Sequence, residues 1–279
     1  MKPLLRLATA GSVDDGKSTL VGRLLYDSKS VLADQFDAVE RVSKDRGLET
    51  ADLALLTDGL RSEREQGITI AVAYRYFATA ERSFILADCP GHVQYTRNTV
   101  TGASTADVVV VLVDARNGLQ EQTSRHLAVA SLLRVPHVVV VINKIDLVDF
   151  SAEVYREVTE QVLAAAKSLG LSDVTTIPVS ALAGDNVVTA SERTPWYDGP
   201  TLLAHLEGLS PKGDPENEPF RFPVQLVIRP QLAADPQFHD YRGYAGQISS
   251  GQISVGDEIV VLPSGSKSTV EAIDFAGTS

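Results

Sequence analysis

The segment from Gly11 to Ser18 constrains the fold of this chain more than any other. It reads Gly-Ser-Val-Asp-Asp-Gly-Lys-Ser and fits the pattern G-x-x-x-x-G-K-[ST] at every fixed position. A short apolar run over residues 4–8 precedes it, and a pattern of helical period over residues 19–25 follows it. A strand, a glycine loop and a helix start in this order surround a phosphate group with backbone N–H groups, so the segment predicts a phosphate-binding loop.

Apolar, β-branched runs alternate with helical patterns through the first part of the chain. The sequence predicts strands over residues 4–10, 71–77, 84–87, 108–113, 137–142 and 174–179. It predicts helices over residues 17–26, 118–133, 152–168 and 201–206. Such alternation indicates an α/β fold, a mostly parallel sheet with helices on both faces.

Two stretches interrupt this alternation. Residues 28–66 form a long polar connection, and a connection of that length is usually functional or mobile. Residues 211–219 have the proline-rich, charged composition of a linker. Beyond the linker the apolar period changes to two, with glycines at the turns, which predicts a β-barrel module. We therefore expect a domain over residues 1–210, a linker over 211–219, and a partial, truncated barrel over 220–279.

Composition narrows the partners and the compartment. The chain has 279 residues and a formal net charge of -11, which disfavours broad contact with nucleic-acid backbones. The longest apolar runs, over residues 108–113 and 138–142, are far too short to span a bilayer. The single cysteine, Cys89, excludes an intrachain disulfide and suits a reducing compartment. We expect a cytoplasmic protein that binds neither nucleic acid nor a membrane.

Several residues are placed to hold a triphosphate and its metal ion. Lys17 is expected to reach the β- and γ-phosphates, and Ser18 to ligate Mg²⁺ through its hydroxyl. Asp88 ends a predicted strand and can hold the same ion through water, because Mg²⁺ keeps much of its hydration. Thr69 can add its hydroxyl to Mg²⁺ and its N–H to the γ-phosphate, although a plain strand position explains this threonine equally well.

The residues after Asp88 predict where the chemistry takes place. Pro90 and Gly91 follow it, and a glycine lets the backbone approach a γ-phosphate closely. His92 would then lie where an attacking water has to be oriented, and it is the predicted catalytic residue. A histidine alone is more often a surface or structural residue, but its position in this motif favours the catalytic interpretation.

Two motifs predict which base is bound. Asp146, in Asn143-Lys144-Ile145-Asp146, carries a carboxylate that only accepts hydrogen bonds. Guanine offers N1–H and a 2-amino group side by side, whereas adenine lacks that amino group. Lys144 would cover the base with its alkyl stem, and the segment from Ser180 to Leu182 can donate a backbone N–H to guanine O6. The predicted cofactors are therefore GTP or GDP and Mg²⁺.

The predicted nucleotide-binding set includes every residue of the loop and of these later motifs. Its members are Gly11, Ser12, Val13, Asp14, Asp15, Gly16, Lys17, Ser18, Thr19, Thr69, Asp88, Pro90, Gly91, Asn143, Lys144, Asp146, Leu147, Ser180, Ala181 and Leu182. The predicted metal ligands are Ser18, Thr69 and Asp88.

Together, the motifs resemble those of GTPases of the translation-factor class. The form Asp-x-Pro-Gly-His over residues 88–92 is typical of that class, and residues 246–259 look like the start of its second, barrel domain. The loop departs from the usual Val-Asp-His-Gly-Lys, because Asp15 stands where histidine is common. Further segments make the chain similar to the GTPase subunits of sulfate adenylyltransferase. These segments cover residues 24–29, 64–70, 73–77, 94–98, 101–106 and 194–197.

This resemblance implies a partner and a reaction. A smaller catalytic subunit of sulfate adenylyltransferase joins sulfate to ATP, giving adenosine 5′-phosphosulfate and pyrophosphate, and GTP hydrolysis on the larger subunit drives this uphill step. Some members continue into an adenylylsulfate kinase, for which this sequence has no second phosphate loop. Asp14 either helps to hold a monovalent cation, as in some relatives, or is a solvated loop residue. Val93 departs from the glutamate of many relatives and adjoins His92.

Two other functions stay open at this point. The shared motifs also fit a translation-factor-like, ribosome-associated GTPase, although Asp15 and the acidic charge count against it. A regulatory switch that binds partners only in its GTP state would carry the same motifs.

Overall fold

The computed structural model describes residues 2–31, 33–45, 47, 51–56, 72–211, 218–230 and 241–274. Thr69, predicted to bind both the γ-phosphate and Mg²⁺, lies outside the described residues. The chain divides into two compact units, residues 1–211 and 212–279, and each is described by itself. No helix among the described residues combines the length and the apolar character needed to cross a membrane.

The first unit is built on a six-stranded sheet in the order β2-β3-β1-β4-β5-β6. The strands are β1 (Leu5–Ala10), β2 (Ala73–Ala78), β3 (Ser83–Asp88), β4 (Val108–Asp114), β5 (His137–Asn143) and β6 (Val174–Pro178). Only the edge pair β2–β3 is antiparallel, and the other neighbours run parallel. The prediction of a mostly parallel sheet is confirmed. Its parallel strands all end at one edge, called the carboxyl edge below.

Helices cover both faces of this sheet, as the alternation predicts. The helices described for this unit are α1 (Lys17–Asp27), α2 (Ala33–Asp45), α3 (Thr96–Ala103), α4 (Glu121–Leu132), α5 (Ala152–Ser168) and α6 (Leu202–Gly208). One apolar cluster joins the sheet to α1 and α6, and a second joins it to α3, α4 and α5. Because it lies between both layers, β4 is buried along its whole length, which explains its run of valines.

Two helices were not predicted from the sequence. The polar connection over residues 28–66 contains α2 and a short 3₁₀ turn, Leu53–Leu56, so part of it is regular. Phe36 of α2 stacks on Tyr26 of α1 with ring centroids 4.7 Å apart. The other helix, α3, is rich in threonine and contains a glycine, residues with low helix propensity, so its pattern gave little signal.

The last residues of this unit return to the opposite edge of the sheet, where the parallel strands begin. There His137, the first residue of β5, contacts Ser210 O through Nε2 at 2.7 Å and Asp173 Oδ2 through Nδ1 at 2.5 Å.

The described part of the second unit contains two antiparallel strand pairs. β7 (Leu226–Ile228) pairs with β8 (Gly243–Ala245), and β9 (Glu258–Val261) pairs with β10 (Ser266–Thr269). Antiparallel strands agree with the period-two pattern, and the partial barrel stays a prediction.

Candidate functional site

The loop between β1 and α1 lies at the carboxyl edge of the sheet. Asp14 and Gly16 both adopt the left-handed backbone region, with φ of 73° and 88°. A Cβ added at Gly16 would lie 2.5 Å from Asn143 Nδ2, so the space beside this residue admits only a hydrogen atom. The last loop residue therefore has to be glycine for two independent reasons, conformation and space.

Asp15 closes this loop from the inside. Its side chain is only 4% exposed, and Oδ2 accepts the Ser12 N–H at 2.7 Å. Burial raises the pKa of this carboxyl, while the Ser12 N–H, Lys17 and Lys144 act in the opposite direction. The Asp15 carboxylate is thus engaged within the loop, where it fixes the loop's shape.

Lys17 and Gly91 meet above the start of α1. Lys17 is buried, and a Cβ added at Gly91 would lie 2.9 Å from its Nζ and would also collide with Gly11 O. The absence of a side chain at Gly91 is what allows the two loops to approach each other. The structure therefore brings together the phosphate-loop lysine and the glycine of the second motif, as the sequence predicts.

Asp88 ends β3 beside this loop. The parallel register pairs it with Thr9 of β1, and its Oδ1 accepts the Thr9 hydroxyl at 2.9 Å. Ser18 lies in the first turn of α1, so both oxygen donors sit at the same edge of the sheet. Mg²⁺ prefers oxygen ligands, and this pair of residues fits that ion.

Burial raises the pKa of the neighbouring Cys89 thiol to about 12, which keeps it un-ionised at neutral pH.

His92 follows directly, in a partly exposed position. Its Nδ1 accepts the backbone N–H of Gln94 at 3.2 Å, and its ring lies 6.0 Å from that of Tyr95. An Nδ1 that accepts leaves the proton of the neutral ring on Nε2, so the ring can donate a hydrogen bond from Nε2.

Asn143 connects three loops through one buried side chain. Its Nδ2 donates to Asp15 O at 2.8 Å, and its Oδ1 accepts the Ala181 N–H at 3.0 Å. The phosphate loop, the Asn143–Asp146 motif and the Ser180–Leu182 motif are thus fixed to one another. The Ala181 N–H is engaged by this contact, and donation from this segment to a guanine O6 stays a prediction.

Lys144 extends from a left-handed backbone position, φ 61°, back to the phosphate loop. Its Nζ donates to Asp14 O and lies 3.0 Å from Asp114 Oδ2. Burial on its own would raise the pKa of Asp114, but hydrogen bonds from Arg116 and Lys144 outweigh it and lower this pKa to about 2. Both contacts restrain the ammonium end of Lys144, the residue whose stem is predicted to cover a base.

The remaining predicted site residues of these loops differ in exposure. Asp146 is half-buried, whereas Leu147 and Leu182 are exposed. Ser180 is buried and its N–H donates to Asp185 O at 3.2 Å. In the phosphate loop, Val13 is exposed, and Thr19 is half-buried in the first turn of α1. Asp114 and, to a smaller extent, Asp146 raise the pKa of the nearby Arg116 guanidinium, and the contact of Asp146 with a base stays a prediction.

Sequence reasoning missed two residues that shape this site. Asp114 ends β4 just as Asp88 ends β3, and an acidic residue at a strand end is a signal that could have found it. Arg23 of α1 donates through Nε to Ala181 O at 3.1 Å and through a second nitrogen to Leu182 O at 2.5 Å. No local sequence pattern predicts the role of Arg23, because its partners are far away in the sequence. Ala181, for example, lies 158 residues further along the chain.

Known proteins are similar to this chain in sequence and in fold. The family described as Elongation factor Tu GTP binding domain matches residues 2–212. The chain is 60% identical over 274 residues to "Bifunctional enzyme CysN/CysC" of Mycobacterium tuberculosis, a match that covers 98% of this chain and 44% of that protein. It is 56% identical over 279 residues to "Sulfate adenylyltransferase subunit 1" of Alteromonas mediterranea, covering 99% of this chain and 58% of that protein.

Among solved structures, sup35 complexed with GMPPNP matches with a TM-score of 0.56 at 27% identity, covering 98% of this chain and 58% of that one. The chain spans about half the length of the curated relatives that it matches.

Proposed function

The chain belongs to the elongation factor Tu GTP-binding domain family, and we propose that it binds and hydrolyses GTP at the carboxyl edge of its sheet. One observation carries this proposal. The Asn143 side chain bonds Asp15 O and the Ala181 N–H. It therefore holds the phosphate loop close to the two base-reading motifs, Asn143–Asp146 and Ser180–Leu182. A site with fixed phosphate and base contacts suits a nucleotide better than a free phosphate.

The phosphate loop supplies charge and backbone donors. Lys17 contacts the β- and γ-phosphates, the loop N–H groups surround the phosphates, and the start of α1 adds its dipole. When Mg²⁺ is bound, it neutralises charge on the phosphate oxygens. Ser18 would hold this ion directly, Asp88 would hold it through water, and Thr69 would add a further oxygen. Asp14 contributes to a monovalent cation site.

The other side of the site reads the base. Asp146 accepts hydrogen bonds from N1–H and the 2-amino group of guanine, and Lys144 lays its stem over the ring. A buried site that hydrogen-bonds its ligand can reject an analogue lacking the group by roughly 10⁴–10⁵-fold. The restrained Lys144 side chain supports this role, because its ammonium is fixed between Asp14 O and Asp114.

His92 orients the attacking water. Because its Nδ1 accepts from Gln94, the neutral ring donates from Nε2 and does not accept a proton there. This geometry favours orientation of the water over general-base catalysis. We expect slow hydrolysis by the chain alone, on the order of 10⁻⁴ s⁻¹, and acceleration by a partner.

We further propose that this GTPase serves sulfate activation in the cytoplasm. It would act as the GTPase subunit of sulfate adenylyltransferase and work with a smaller catalytic subunit, which makes adenosine 5′-phosphosulfate and pyrophosphate from ATP and sulfate. The identities of 60% and 56% to the two curated relatives support this assignment over a ribosome-associated GTPase. The match to sup35, at 27%, is far weaker.

Two experiments test the two levels of this proposal. Asp146→Asn should shift preference from GTP towards xanthosine triphosphate, measured by calorimetric titration, and unchanged selectivity would contradict the base-reading role. Mixing the chain with the small subunit should produce adenosine 5′-phosphosulfate faster with GTP than without. A rate indifferent to GTP would refute the role in sulfate activation and leave the GTP site intact.

A further inference from the structure

The turn that presents Asp146 has an unfavourable backbone. Just before the 3₁₀ turn Ile145–Val148, Lys144 has φ 61°, and just after it Asp149 and Phe150 both have φ 53°. Residues with a Cβ seldom adopt this left-handed region, and they stay there only where the surrounding structure holds them. Lys144 is held by Asp14 O and Asp114, so the question is what holds the other end of the turn.

Trp196 and Arg193 hold that end. The indole Nε1–H of Trp196 donates to Phe150 O at 2.9 Å, while the Phe150 N–H donates to Ile145 O at 2.9 Å. The Arg193 guanidinium lies over the Phe150 ring, 4.5 Å from its centroid, in cation–π geometry. The backbone and the ring of Phe150 are therefore both fixed from outside the turn.

The segment that supplies these contacts, residues 185–197, also contacts the second base-reading motif. Arg193 makes a two-pronged ion pair with Asp185, one prong from Nε to Oδ1 at 3.1 Å. The backbone of Asp185 in turn accepts the Ser180 N–H at 3.2 Å. Trp196 packs on Tyr155 of α5 with ring centroids 5.2 Å apart. One segment thus joins the Asp146 turn, the Ser180–Leu182 motif and a helix.

We propose that Trp196 and Arg193 are positioning residues for guanine recognition, which they support by holding the left-handed turn that aims the Asp146 carboxylate. Neither side chain is assigned a contact with the nucleotide. The proposal rests on the proposed GTP site. It adds two residues that stabilise this site from a part of the chain outside the nucleotide-binding motifs.

Inosine diphosphate provides a selective readout, because it differs from GDP only in lacking the 2-amino group that Asp146 is proposed to read. A misaligned carboxylate therefore reduces the ratio of the GDP affinity to the inosine diphosphate affinity. A variant that only lowers the fraction of binding-competent protein reduces the affinity for both ligands by the same factor, so it leaves this ratio unchanged. The ratio thus separates a positioning role from a general structural one.

The experiment compares Trp196→Phe, which removes the indole N–H but keeps an aromatic ring, with a matched control in the same segment. Tyr197→Phe also removes one bond to a backbone carbonyl, the 3.0 Å contact from its hydroxyl to Pro200 O, which does not touch the turn. Calorimetric titrations with GDP and inosine diphosphate should show a ratio at least fivefold smaller in Trp196→Phe and unchanged in Tyr197→Phe.

Arg193→Lys supplies a second, independent variant, because lysine can keep the charge beside Asp185 but loses the planar stacking on Phe150. It should also reduce the ratio, and it decides the matter if Trp196→Phe does not fold. If the wild-type protein prefers GDP and the folded variants keep the same ratio of the two affinities, this proposal is wrong and the proposed function stands. Equal affinities for the two ligands in the wild-type protein would overturn the proposed function, and this proposal with it.

Discussion

Replacing Asn143 by alanine tests the bridge between the three loops. The substitution leaves the Asp15 carbonyl and the Ala181 N–H without their partner, and both hydrogen bonds are buried. Each buried polar group left unpaired costs about 1–3 kcal/mol, so we expect a loss of about 2–6 kcal/mol in the free energy of unfolding. That is a large share of the roughly 5–15 kcal/mol that stabilises a typical domain.

Urea unfolding of the nucleotide-free protein measures this loss. Trp196 is the only tryptophan in the sequence, so its emission reports the unfolding of the first unit without a signal from the second. With a slope of about 2–3 kcal/mol per molar urea, a loss of about 4 kcal/mol lowers the midpoint by about 1–2 M.

The matched control is Asn117→Ala, an exposed asparagine after β4, which should change the stability by less than about 0.5 kcal/mol. Equal midpoints for Asn143→Ala and Asn117→Ala would refute the reasoning, because two buried hydrogen bonds would then contribute nothing.

Three further predictions concern single residues. His92→Ala should lower GTP turnover by about 10²-fold or more and change GTP affinity by less than about threefold, and similar losses in both would favour a binding role. Gly91→Ala should weaken GTP binding at least about tenfold, because its Cβ would meet Gly11 O and Lys17 Nζ, whereas Gly208→Ala, with open space around it, should not change binding. Asp114 has a pKa of about 2, below its ordinary 3.8, so it stabilises the fold above about pH 4 and this contribution disappears as the pH falls towards 2. Asp114→Asn should therefore reduce the difference in unfolding free energy between pH 7 and pH 3 by about 1–2 kcal/mol, and an unchanged difference would count against the Arg116 and Lys144 contacts.

The sequence predicted most of the sheet because its strands are continuous apolar runs. β5, predicted over residues 137–142, covers His137–Asn143, and β4 was predicted to within one residue. Helix α2 has its apolar residues on one face, but its overall composition is polar, so its segment was interpreted as an irregular connection. Helix α3 was missed because its residues are poor helix formers. The sequence pattern identifies a helix or strand when burial determines which residues it contains. It fails when tertiary contacts stabilise a segment whose own structural preference is weak.

The same distinction applies to the site. Lys17, Asp88 and Asn143 stand in short motifs whose spacing reflects local geometry, so the sequence alone predicted that they would lie together. Arg23 and Trp196 act on partners far along the chain, Ala181 and Phe150, and no short pattern encodes such a contact. Their contribution became visible only when the fold placed those segments side by side.

The contact between His137 and Ser210 has a practical consequence for handling the protein. It places the end of the first unit at the edge where β5 begins, and the seven residues of β5 separate that edge from the nucleotide loops by roughly 20 Å. A surface anchor or a reporter group attached near residue 211 would therefore leave the opposite edge free. Immobilised in this way, the first unit would be held by the edge that lies away from its nucleotide loops.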